Sequence, residues 1–113
     1  MGVDLRIYLA HPLAANSWWC DTSIELMRDN RLWEHINSKT HETVPALIEV
    51  HTYGADGNTK FVLDKTPYGE RITYAEPKEF GLILMASGNE FNRRVGDLLV
   101  VVPEDTFVIL YWH

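Results

Sequence analysis

A single cysteine, Cys20, excludes an internal disulfide and any zinc site built from several thiolates. Basic residues are also scarce. Ten Lys and Arg stand against sixteen Asp and Glu, giving a net charge of -6 and a pI near 5.2. Sequence-independent binding to nucleic acid needs a basic footprint, so direct nucleic-acid binding is not expected. The acids are scattered, with Glu104-Asp105 the only adjacent pair, which fits a solvated surface better than a mimic of DNA. Long apolar runs are missing too. The longest, Leu98 to Val102 and Phe107 to Trp112, fall far short of the ~20 residues that span a bilayer. Residues 1–20 lack the basic start and apolar core of a signal peptide. The expectation is no membrane association and a cytoplasmic location. No phosphate-cradling Gly loop, dinucleotide fingerprint, nucleophile elbow or HExxH motif is present, so no catalytic residue, metal or cofactor is assigned.

Aromatic residues are plentiful: four Trp, five Tyr and four Phe supply ample apolar surface against disorder. No repeat or linker divides the 113 residues, which read as one α+β domain over 1–113. Both ends read as strand, Val3 to Ala10 and Phe107 to His113, which suggests a closed unit without a tail. These are the most apolar strands and are expected at the centre of the sheet.

Residues 11–21 read as a loop, and Thr22-Ser23-Ile24-Glu25 as a capping box opening a helix to about Ser38. Asp29-Asn30 marks a break if that stretch is two short helices. Pro45 to Tyr53 and Thr59 to Asp64 read as a hairpin around the turn Gly54 to Asn58, and Glu70 to Ala75 as a fourth strand. Pro77 to Met85 suits a helix. Ser87-Gly88-Asn89-Glu90 is a second capping box before a helix stopped by Pro103. The predicted order is β-α-β-β-β-α-α-β. It implies a two-layer sandwich, a mainly antiparallel sheet of about five strands with two or three helices on one face.

Alternation then lists the opposite, open face: Arg6 and Tyr8, Glu49, His51 and Tyr53, Arg71 and Thr73, Tyr111 and His113. Two histidines, an arginine and aromatic walls could bind a small anionic molecule or perform acid–base chemistry. The alternative is a solvated sheet face with ordinary cross-strand pairs. His11, His51 and His113 could group, but histidines from separate strands have no diagnostic metal spacing. Trp18 and Trp19 are adjacent, so one is expected to cover a ligand, a partner or the core edge. Cys20, placed before a helix start, would have a stabilised thiolate, but no neighbouring base marks it as a nucleophile.

The opening Met1 to Tyr8, the segment Pro67-Tyr68-Gly69-Glu70-Arg71-Ile72-Thr73-Tyr74 and the ending Pro103 to His113 resemble segments of small uncharacterised phage and prophage proteins. The resemblance covers about a third of the chain and implies a viral setting, hence a host cytoplasm, without a mechanism. Three functions follow as expectations. The first is a non-enzymatic accessory protein, such as a counter-defence factor, that binds a host protein or a small nucleotide-like ligand through Arg6, Tyr8, His51, Tyr53, Tyr111, His113, Trp18 and Trp19. The second is an assembly protein forming a homo-oligomer through its sheet. The third is a small hydrolase or nuclease using His51 and His113, with Arg6 on phosphate and Glu49 orienting a histidine.

Overall fold

Apolar alternation at the two ends of the chain builds the middle of the sheet. In a computed structural model that describes residues 3–54 and 57–113, with side chains throughout except at residues 52–59, β1 (Leu5–Ala14) pairs antiparallel with β7 (Phe107–Trp112). The strand order is β3-β6-β7-β1-β2-β4-β5, with β2 at Ser17–Glu25, β3 at Glu42–Thr43, β4 at Leu47–Gly54, β5 at Gly57–Leu63 and β6 at Thr73–Ala75. The expected central position of the terminal strands holds. So does the α+β class, with helices α1 (Asn30–Ser38), α2 (Pro77–Leu84) and α3 (Glu90–Val100).

Seven strands replace the expected five, and the sheet is mixed, because β2 and β4 run parallel. The largest correction falls on residues 11–25, read as a loop and a helix start. They finish β1 and form β2, so the order is β-β-α-β-β-β-β-α-α-β. Trp, Cys, Thr and Ile suit a pleated surface, and eight register partners along β1 outweigh one local capping pattern. The first helix starts where Asp29 accepts the Leu32 N–H, at the expected break and well after Thr22. Likewise Asn89, and not Ser87, caps α3. The turn expected over Gly54 to Asn58 includes residues 55 and 56, outside the described residues.

The two-layer arrangement is corrected as well. Leu5, Ile7, Val108, Leu110 and Trp112 pack against the helices through Trp33, Ile36, Phe80, Leu84 and Leu99, forming one core. The helix-free side is not open. The sheet curls, and Tyr8, Ala10, Trp18, Cys20, Ile48, Val50, Leu63, Ile72 and Ile109 close a second core there. On the helix side, the start of β2 around Trp19 and the adjoining faces of β4 and β5 are left only half-covered, whereas Ile24 at the end of β2 still packs on the helix-side core.

Candidate functional site

Register decides which residues share a surface. β1 alternates cleanly, but Asp21 is an extra residue in β2: Leu9 faces Thr22 while Ala10 faces Cys20. Through this bulge Trp18 and Cys20 turn into the second core, and Trp19 turns outward beside His11. The parallel pairing of Trp19 with Glu49 continues the row onto β4, and Glu49 faces Val62 on β5. His11 and Trp19 rings lie 6.4 Å apart, and Trp19 and His51 rings 5.3 Å apart. Leu47 and Val62, 52% and 49% exposed, extend this surface with apolar area. Glu49 sits 3.6 Å from His51 and 3.8 Å from Lys60, so its charge is shared at the rim. At 3.6 Å the His51 Nε2 is beyond hydrogen-bond reach, and it has no other partner among the described residues.

Arg6, Tyr8, Tyr111 and His113 gather elsewhere, at the far end of β1 and β7. The Tyr8 and Tyr111 rings meet edge-on at 6.0 Å, and the Arg6 guanidinium lies 6.0 Å from the Tyr111 ring centre. Arg6 Nε donates to Glu25 at 2.8 Å, and the other Glu25 oxygen meets His113 Nε2 at 2.6 Å. Asp4 accepts two hydrogen bonds from Arg28, and that pairing holds its carboxyl below the usual range. Asp4, Glu25 and His113 could each offer a metal-ligand atom, all within 4.8 Å of one another. Yet every oxygen of the two carboxylates is already engaged, and two guanidiniums would oppose a cation. The arrangement is an ion-pair cluster that ties together the start of β1 and the ends of β2 and β7.

The expected face therefore divides into separate places. His51 and Trp19 lie on one side of the sheet, while His113, Arg6 and Tyr111 lie on the other, so His51 and His113 do not converge. The shared hydrolase site is corrected on that ground. Tyr8 and Trp18 are only 5% and 7% exposed and serve the second core. Tyr53 falls outside the described side chains. Cys20 precedes no helix: it is buried, donates to the Glu49 carbonyl, and burial with the Asp21 charge pushes its thiol up to about 12. Leu47, Val62 and Lys60 belong to the Trp19 surface without having been expected there. Alternation along β4 from Glu49 and His51 leads to Leu47, and pairing across the hairpin adds Lys60 and Val62.

No known protein family, curated protein or solved structure matches the chain.

Proposed function

We propose that the chain is a non-enzymatic binding protein, of the phage accessory type its ends resemble, that docks on a host protein through the sheet surface around Trp19. The observation that carries this reading is the outward tryptophan, flanked by His11 and His51 and continued by exposed Leu47 and Val62. Tryptophan and flanking apolar area ringed by polar groups are the composition of a protein-binding hot spot. The surface is a row across neighbouring strands, which fits a protein partner better than a small molecule, whose sites are concave. Glu49 and Lys60 at the rim would set orientation. The protein, immobilised and exposed to host lysate, should retain a protein that the Trp19→Ala variant does not. Identical retention by both would overturn the reading.

A second reading, assembly of copies through the sheet, draws on β5, which ends the sheet and exposes Phe61 and Val62 on its two faces. Light scattering separates the two: a monomer at high micromolar concentration removes assembly.

A further inference from the structure

The fold carries a second candidate site, which borders the Trp19 surface at Leu47 and Val62. A cleft of about 510 Å³ opens between β3, the start of β4, the end of β5 and the returning segment 64–72. Its floor is apolar: Ile48, Leu63 and Ile72, all buried members of the second core, line it together with Val44. Its rim is not. Lys65 and Arg71 face each other as an antiparallel bridge, and both line the cleft.

The turn between them is fixed. Gly69 adopts φ +80°, a conformation that side chains disfavour, and its N–H donates to the Thr66 carbonyl. Thr66, 5% exposed, closes the turn by donating its own N–H to the Glu70 carbonyl and accepting the Glu70 N–H on Oγ1. Local geometry thus holds two cations opposite one another. Like charges in that position repel, and among the described residues neither is in an ion pair. Asp64 also lines the cleft and offsets one of the two charges, leaving a positive rim on a chain of net charge -6. An anion seated between Lys65 and Arg71 would relieve the repulsion, and Arg71 could grip a planar or tetrahedral oxyanion with two N–H groups.

We propose that this cleft binds a small amphipathic anion, with its carboxylate, phosphate or sulfonate head between Lys65 and Arg71 and its apolar body on Ile48, Leu63 and Ile72. The volume falls in the range of small-molecule sites, and an apolar floor with a few convergent polar groups is their usual make-up.

The probe is anilinonaphthalene sulfonate, compared with N-phenyl-1-naphthylamine, which keeps the rings and lacks the sulfonate. The sulfonate dye should bind with a stoichiometry of one and shift the amide resonances of residues 44–48 and 63–72. The neutral dye should bind about tenfold more weakly, and a Lys65→Ala, Arg71→Ala double variant should lose about tenfold for the sulfonate alone, as expected for lost charge-assisted bonds. Both cations are exposed, so the double variant should keep its thermal midpoint. Equal affinity for the two dyes, an unaltered affinity in the double variant, or shifts centred on Trp19 would each overturn the proposal.

Discussion

Trp18 lies flat against Phe107, ring centroids 4.6 Å apart and planes 12° from parallel. Tyr74 meets it edge-on at 5.0 Å, so three aromatic rings from β2, β6 and β7 form one wall of the second core. Its chain neighbour Trp19 contributes nothing to that wall. Trp18→Ala is therefore expected to cost about 3–5 kcal/mol, and Trp19→Ala, at a half-buried position, only about 1–2 kcal/mol. Urea unfolding of the two variants measures this; equal losses would mean that Trp19 is structural.

Asn92 is fully buried, and its side chain satisfies both backbone groups of Met27: Oδ1 accepts the N–H at 2.9 Å and Nδ2 donates to the carbonyl at 2.7 Å. This clamp joins α3 to the segment between β2 and α1. Asn92→Leu should cost about 2–3 kcal/mol, because it leaves buried donors and acceptors unpaired. Faster hydrogen exchange of the Met27 amide would accompany the loss. An unchanged amide would show that the clamp does not hold Met27 in place.

Asp29 ties the same region together, capping α1 and accepting from Ser87 Oγ at 2.8 Å and from the Gly88 N–H. Burial alone would raise its carboxyl, but the bonds from Ser87, Leu32 and Gly88 outweigh it and hold the group below its ordinary 3.8. A depressed folded value contributes stability that is fully present above the unfolded value and fades as pH falls through the folded one. Stability should therefore decline on acidification below about pH 4, and Asp29→Asn should reduce that decline. Urea midpoints between neutral and acidic pH check it; parallel pH curves for both proteins would contradict it.

Much of this architecture is legible in local pattern. The run Phe107 to Trp112 and the alternation Leu5, Ile7, Leu9 announce the central strands, and α2 and α3 follow from Pro77, Phe91, Val95 and Leu99. Local pattern fails where distant pairing decides. Thr22 and Glu25 have the spacing of a capping box, yet Ile24 pairs with Ile7 and Glu25 with Arg6. Neither the parallel contact of β2 with β4 nor the curl that buries Tyr8 leaves a mark on neighbouring residues.

The candidate site was half visible for the same reason. Trp19 stands out by residue type and His51 by alternation, and the two share a surface. Grouping His51 with His113 requires a register that the bulge at Asp21 and the parallel β2–β4 pairing set otherwise. Alternation assigns residues to faces within a strand; only the pairing says which faces coincide.

The docking role of the Trp19 surface is tested most directly by a photo-crosslinking side chain, p-benzoylphenylalanine, placed at Lys60 and, separately, at Arg94 on α3. In host cells the account predicts an adduct with one defined protein from position 60 and none from position 94. No adduct at position 60, or the same adduct from both positions, would contradict it.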